Sequence, residues 1–404
     1  MVNPVRQILQ VNNHHRVIGG SDSVYFNTSE LLRASGRGVI NFAASSEHDV
    51  PSPYSSYFHR GLDTKKLSLK DIGKYMRDAE AGKAVDRLID HVGPFDVAHL
   101  HIYYGRLTAA ILPVLRRHDI PIVQTIHEYK LACPIYTMER NGSVCEECIK
   151  GSTINVIRNK CKEGSLAKSI AVLAEFWASR LQGDVRLLDR IICVSDFQRS
   201  LMLRAGIPAS KLVTLHNFVD PAVFKPVASE AKGDYFLYCG RIEVLKGVPS
   251  LLQAAEKTGI SLKVAGVGGW SQDMMRRISG NSNIEALGHV GGQDLRDLIA
   301  YAKAVVVPSE WYENCPMTVL EAKAAGTPVI GARIGGIPEL IRDGVDGTLF
   351  EAGNVDDLCR AINDIREGDI IGMAHAARED VKARFSNEFH LERLIEIYES
   401  ASER

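Results

Sequence analysis

The sequence predicts an α/β protein built as two doubly wound domains, each a parallel sheet covered by helices. Three observations carry that expectation. From Val5 onward, short apolar runs alternate with amphipathic stretches, the pattern of βα units around a parallel sheet. The alternation stops over residues 218–233, which hold two prolines and no clear period, and then restarts. The chain has 404 residues, and at roughly 150 residues per domain that is enough for two such units with large cores.

In order along the chain, strands are expected at 7–12, 39–43, 96–101, 122–125 and 191–194, and helices at 23–35, 74–90, 107–118 and 166–188. Past the break the pattern gives strands at 235–240, 262–268, near Ile284, 304–309 and 328–332, with helices at 250–259, 294–303 and 316–326. A terminal helix over 387–400 carries an apolar stripe of Phe389, Leu391, Leu394, Ile395 and Tyr398. The domains are expected at 1–220 and 221–386, with 387–404 crossing back onto the first. Ligands of doubly wound sheets bind at the carboxyl ends of the strands, so two such domains are expected to face each other across a cleft.

Composition narrows the function classes. Hydrophobic residues at 45%, charged residues at 24% and a mean hydropathy of −0.06 are globular values. With 48 Lys+Arg against 49 Asp+Glu, the net charge of −1 offers no field for nucleic acid, which is not expected as a partner. No apolar run is long enough for a membrane span, and residues 1–13 lack the basic and apolar regions of a signal peptide, so a cytoplasmic location is expected.

The most informative stretch is residues 308–341. Glu313 precedes a helix opened by Pro316, and Glu321 sits inside it. Eight residues of helix would rise roughly 12 Å, too far for the two carboxylates to share a proton. They suit instead two hydroxyl-bearing ends of an extended ligand, with the amides of Met317 and Thr318 aimed at an anion between them. Arg241 and Lys246 follow a strand directly, where a guanidinium and an ammonium can clamp a diphosphate. Taken singly, these are also the features of a solvated helix and an exposed charge pair. Cys193, Cys239 and Cys359 read as small buried hydrophobes. Cys133, Cys145, Cys148 and Cys161 crowd one segment with C-x11-C-x2-C-x12-C spacing, which suits a structural zinc in a reducing compartment better than disulfides. Free thiols remain the third reading.

The combined pattern resembles the family 4 glycosyltransferases of GT-B architecture. The motifs run from Gly19-Gly20 through HEYK at 127–130, VSDFQR at 194–199, HNFVD at 216–220, GRIEVLKG at 240–247, VAGVG at 264–268 and PSEWYENCPMTVLEAKAAGTPVI from residue 308 to the closing FSNE. The resemblance implies a retaining transferase that moves a sugar from a nucleotide diphosphate to a hydroxyl of a saccharide or lipid-linked saccharide, in cell-surface polysaccharide assembly, without a catalytic metal. It implies that Glu313 holds sugar hydroxyls, Glu321 the ribose, and Arg241 and Lys246 the pyrophosphate. Gly19 and Gly20 would let the loop approach the phosphates, Gly266, Asn314, Met317 and Thr318 would line the donor site, and His127 would lie over the anomeric centre. Asn314-Cys315-Pro316 departs from the small, Gly-containing tetrapeptide frequent in the family, and Ser271 leaves G-x-G-x-x-G incomplete, against a dinucleotide site.

Other features stay open. His99, His101 and His127 suit a three-histidine metal site or, more simply, polar residues satisfied at strand ends; His14 and His15 read the same way. The basic segment 150–190, with Ile170, Phe176, Trp177 and Leu181, suits either peripheral contact with the inner face of a membrane or a helix packed on the sheet. Acceptor recognition is expected in loops such as 45–69. Glu313→Ala is expected to spare stability, since a loop residue facing ligand supports no core. The rival functions are a nucleotide-sugar epimerase or hydrolase on the same fold, and a non-catalytic, zinc-containing protein that binds nucleotide sugars.

Overall fold

The computed structural model describes residues 5–62 and 71–403, so residues 63–69 of the expected acceptor loop lie outside the described residues. The chain divides into two compact units. The first comprises residues up to Met138, then Glu146–Leu215 and Leu391–Arg404. Its sheet contains β1 (Gln7–Asn12), β2 (Gly38–Ala43), β3 (Val97–Leu100), β4 (Ile122–Ile126), β5 (Arg190–Cys193) and β6 (Leu212–Thr214). All pairs are parallel, in the order β2-β1-β3-β4-β5-β6. These strands are buried on both faces, which is why they read as near-continuous apolar runs.

The second unit comprises His216–His390 together with a short antiparallel hairpin at Glu139–Cys145. Its sheet contains β7 (Phe236–Cys239), β8 (Leu262–Ala265), β9 (Ile284–Gly288), β10 (Ala304–Val307), β11 (Val329–Ala332) and β12 (Gly347–Phe350). The order β9-β8-β7-β10-β11-β12 is again all parallel. Each sheet therefore reverses its winding once, between β1 and β3 in the first and between β7 and β10 in the second. Those are the points where doubly wound sheets bind ligands.

Several expected elements shift for identifiable reasons. The helix expected at 74–90 is two pieces, Ile72–Met76 and Ala79–Val92, because Asp78 turns the chain and caps the second piece by accepting from the Glu80 amide. The helix expected at 107–118 is a 3-10 turn followed by Leu112–Arg117, since Thr108 sits at φ 60°. The helix expected to run to Leu188 ends at Gln182, where Gly183 caps it. The boundary between units falls at Leu215/His216 rather than after residue 220, because Phe218 and Val219, read as linker, are buried, and the Val219 amide donates to the Phe385 carbonyl.

The helices include α1 (Gly20–Ala34), α2 (Leu166–Gln182), α3 (Met317–Ala324) and the terminal α4 (Asn387–Ser402). From Leu391 on, α4 belongs to the first unit. There Leu394, Ile397, Tyr398 and Ala401 complete a core with Val5, Ile8, Leu32, Val97, Val123 and Ile192. No helix among the described residues is long and apolar enough to cross a membrane.

Candidate active site

The second sheet's point of reversal gathers most of the expected donor residues. Arg241 and Lys246 follow β7, Gly266 follows β8, and Glu313, Asn314, Met317, Thr318 and Glu321 follow β10. Glu313 is the best supported of these. One carboxylate oxygen accepts from Ser309 Oγ at 2.7 Å and Trp311 Nε1 at 3.0 Å, and also pairs with the Lys246 ammonium. Burial pushes this carboxyl up, but Lys246 and the three donated hydrogen bonds outweigh burial and hold it below its ordinary range. The backbone is fixed as firmly: Gly336 donates its amide to the Glu313 carbonyl at 2.8 Å. A Cβ on Gly335, which has φ +60°, would lie 2.2 Å from that carbonyl oxygen.

Glu313 is therefore built into a half-buried polar knot, and its removal strips partners from Lys246, Trp311 and Ser309. The expectation that Glu313→Ala spares stability is corrected accordingly. Ser309, Trp311 and the Gly335-Gly336 pair were not among the expected site residues. The signal for the first two was their spacing of four and two residues before Glu313, and for the last a double glycine just past β11.

Past Glu313 the chain enters α3 through Pro316, which is the residue before the helix and not its first turn. No side chain caps this N-terminus, which leaves the first-turn amides of Met317 and Thr318 as donors for an anion. Glu321 lies one turn further on, half-buried; burial raises its carboxyl to about 7 against a weaker pull from Arg296. Arg241 is exposed and pairs with Glu243 at 2.8 Å, so the two expected phosphate cations are each held by a carboxylate. Gly266 has a reason of its own: at φ +151° its Cβ would fall 1.8 Å from the Gly240 carbonyl oxygen, so two backbone segments cross there.

In the first unit, Gly19 and Gly20 open α1 after β1. A Cβ on either would meet nothing within 4 Å, so no protein contact demands glycine there. The Asp22 carboxylate accepts from the amides of Ile18 and Gly19, both at 3.1 Å, and from Asn12 Nδ2 at 2.9 Å, which engages the Gly19 amide with a side chain. His14 accepts at Nδ1 from Arg106 at 2.9 Å, and His15 hydrogen-bonds Tyr25 at 3.1 Å.

His127 follows β4, and burial brings its imidazole down to about 4, so the ring is neutral near pH 7. It lines a small recess of mixed polar and apolar character with residues that include His101, Tyr104, Ile126, Glu128 and Leu131. Burial raises the Glu128 carboxyl to about 7 despite Lys130, a feature that HEYK alone did not flag. His101 Nδ1 lies 2.9 Å from His127 Nε2 and His99 Nε2 lies 2.7 Å from Thr125 Oγ1, which makes these rings hydrogen-bonded polar groups of the sheet. Cys133 is buried in the turn after β4, Cys145 closes the hairpin grouped with the second unit, and Cys148 and Cys161 lie in the first.

The sequence model described as "Glycosyltransferase Family 4" matches residues 18–223, half of the chain. The chain belongs to glycosyltransferase family 4. A second model, "Glycosyl transferases group 1", matches residues 220–384. Among curated proteins, the chain is 33% identical over 199 residues to the D-inositol 3-phosphate glycosyltransferase of Mycolicibacterium paratuberculosis, covering 44% of this chain and 45% of that one. The Mycolicibacterium smegmatis protein of the same name is 28% identical over 237 residues, covering 52% and 54%. The chain thus spans about half the length of the curated relatives it matches. Among solved structures, sucrose-phosphate synthase from Thermosynechococcus elongatus superposes with a TM-score of 0.73 at 17% identity, covering 97% and 98% of the two chains. Anabaena HepE in complex with UDP gives 0.66 at 17% identity, covering 96% and 98%. These likenesses establish the GT-B fold of the family.

Proposed function

We propose that this protein is a retaining glycosyltransferase that moves a sugar from a nucleotide diphosphate donor to a hydroxyl of a saccharide or lipid-linked saccharide in cell-surface polysaccharide assembly. The observation that carries the reading is Glu313, a half-buried carboxylate kept ionised by Lys246, at the point where ligands of such sheets bind, just before a helix N-terminus that no side chain caps. Family membership supports it, as do relatives named as glycosyltransferases and fold neighbours solved with UDP and UDP-glucose.

In this reading Glu313 accepts from sugar hydroxyls, Glu321 accepts from the ribose, and Lys246, Arg241 and the amides of Met317 and Thr318 hold the diphosphate. From the first unit, Gly19 and Gly20 admit the phosphates and His127 meets the sugar. The bond from the anomeric carbon to the phosphate oxygen breaks as the acceptor oxygen bonds to the same face, and the acceptor proton passes to the leaving phosphate. Cations and helix amides neutralise that phosphate, so the step needs no catalytic metal.

A panel of nucleotide sugars tested for thermal stabilisation, followed by transfer assays with the stabilising donor, tests the reading. Product formation that requires an acceptor and keeps the donor's anomeric configuration supports it. Hydrolysis or epimerisation at the same rate without acceptor, or binding without turnover, overturns it.

The four thiols Cys133, Cys145, Cys148 and Cys161 are proposed as ligands of a structural zinc. A set of four thiolates leaves no position for a catalytic water. About one zinc per chain in protein purified without chelator supports this, and its absence refutes it. The proposed cytoplasmic setting at a membrane face is supported by α2, whose Leu166, Ile170, Trp177 and Leu181 are 49%, 48%, 52% and 83% exposed. At 100° per residue they fall within an arc of about 60°. Failure to sediment with anionic vesicles would remove that part of the reading.

A further inference from the structure

We infer that Asn217 is a positioning residue for the donor site: its side-chain amide holds the Cys315 carbonyl and, through the rigid Cys315-Pro316 step, aims the first amides of α3 at the diphosphate. The inference rests on the proposed use of those amides for the donor's phosphates, and it names the residue that fixes where they point.

The turn from Glu313 to Pro316 is held at alternate carbonyls. That of Glu313 accepts from the Gly336 amide at 2.8 Å, and that of Cys315 accepts from Asn217 Nδ2 at 2.9 Å. A backbone carbonyl can only accept, so the nitrogen end of the Asn217 side chain is the end that faces it. Asn217 is 6% exposed and the bond itself is buried, so its loss leaves the carbonyl without a replacement from water. The Cys315 thiol is buried beside the same residue. Burial pushes it up to about 12 against a weaker pull from the Asn217 backbone amide, so it stays uncharged and fills space.

What Asn217 fixes, the proline passes on. Holding the Cys315 carbonyl holds the plane of the Cys315-Pro316 peptide, and the proline ring locks the next rotation, here at φ −66°. The Pro316 carbonyl accepts in turn from the Val319 amide at 3.1 Å, so the peptide that carries the Met317 amide is held from both ends. The anchor is itself pinned on either side. His216 pairs with Glu339 at 2.9 Å, and its carbonyl accepts from His390 Nδ1 at 3.1 Å. Phe218 and Val219 are buried, and the Val219 amide donates to the Phe385 carbonyl at 3.0 Å. The consequence is selective. Glu321 lies one turn further along α3, where Val319, Leu320 and Ala322 are fully buried, so the helix core places the proposed ribose carboxylate. Loss of Asn217 should therefore disturb the amides that meet the phosphates and spare the ribose.

Titration calorimetry on the full chain, with UDP, ADP and GDP each compared with its nucleoside, tests this, because a nucleoside lacks the phosphates that the amides would hold. In the wild type one diphosphate should bind well above its nucleoside. Asn217→Ala should weaken that diphosphate about tenfold and change its nucleoside by no more than about twofold, the loss of one buried hydrogen bond acting on the phosphates alone. Asn217→Asp keeps the shape but, when ionised, cannot donate, and should lose the same preference or more. Asn217→Ser keeps a polar group with too short a reach and serves if alanine prevents folding; the same selective loss is expected. Equal losses for diphosphate and nucleoside would show that Asn217 merely supports the fold, and that result overturns the inference. A wild type that binds no diphosphate better than its nucleoside removes the proposed phosphate site and this inference with it, whereas a preference kept intact by all the variants that fold removes the inference alone.

Discussion

In the first unit His127 ends a line of hydrogen bonds that runs through His101, Gln10 and His99 to Tyr398, whereas in the second Glu313 sits in a knot of opposite charges. Both follow a strand near the place where their sheet reverses its winding, and both are half-buried. The first is held by buried hydrogen bonds among an amide, imidazoles and a phenol. The second is held by Coulomb attraction, with the cost of burial offset by Lys246, Trp311 and Ser309. The difference shows that one fold can prepare a neutral ring and an ionised carboxylate within the same chain by choosing what surrounds each.

The largest expected effect comes from taking away the far end of the hydrogen-bonded line. Ending the chain after His390 removes Leu394, Ile397 and Tyr398 from the first unit's core while leaving His390, which belongs to the second unit and hydrogen-bonds the His216 carbonyl at 3.1 Å. Three fully buried side chains at about 1.5–3 kcal/mol each come to on the order of 5 kcal/mol, comparable with the whole stability of many domains. The first unit should unfold at markedly lower denaturant while the second is affected less. Calorimetry or hydrogen exchange resolved by unit checks this, and unchanged protection of β1 and β3 would contradict it.

The charged knot is broken next. Glu313→Ala should lower transfer by about 100-fold or more, as loss of a preorganised polar group at a reacting centre does. It should also cost about 1–3 kcal/mol, because Lys246, Trp311 and Ser309 lose their common acceptor. Glu313→Gln keeps the shape and one acceptor oxygen but removes the charge that holds Lys246. It should recover most of the stability and little of the rate. Equal recovery of both would mean that the carboxylate is structural and the donor-site assignment is wrong.

What the sequence disclosed of these two regions differs for a physical reason. Glu313, Glu321, Arg241 and Lys246 lie in short, local motifs whose residue types carry charge, so they could be picked out along the chain. The hydrogen-bonded line could not. Gln10 read as a strand residue, His99 and His101 as a metal site with His127 or as polar residues satisfied at strand ends, and Tyr398 as one more apolar member of a helical stripe; only parallel pairing of β1 with β3, together with the packing of α4 on the first unit, brings them together. The same distinction holds for the fold. The alternation announced most of the strands through β11 but missed the three-residue β6 and also β12, which is as long as β7 or β10; the helix breaks at Asp78 and Thr108 depend on single turns and caps that weigh little in a periodic pattern.

The smallest expected effect lies between the two extremes of charge, at Glu321. Without ligand, burial raises this carboxyl to about 7, above its ordinary value near 4.5, so at neutral pH it is partly protonated. For the empty protein this favours the folded state most below the ordinary value, and the advantage fades as pH rises through 7. Ribose hydroxyls donating to Glu321 would stabilise the ionised form and pull the group back down, so nucleotide-sugar binding should release a proton. Affinity should therefore rise with pH until about 7 and level off above it, with a loss of up to about tenfold per pH unit below. A nucleotide diphosphate sugar is the suitable probe because its phosphates do not titrate in this range. Titration calorimetry near pH 6.5 in two buffers of different ionisation enthalpy measures the proton directly. Glu321→Gln should bind more weakly and lose both the buffer dependence and the slope. Equal affinity of the wild type at pH 6 and pH 8, with no buffer dependence, would show that the ribose is held elsewhere.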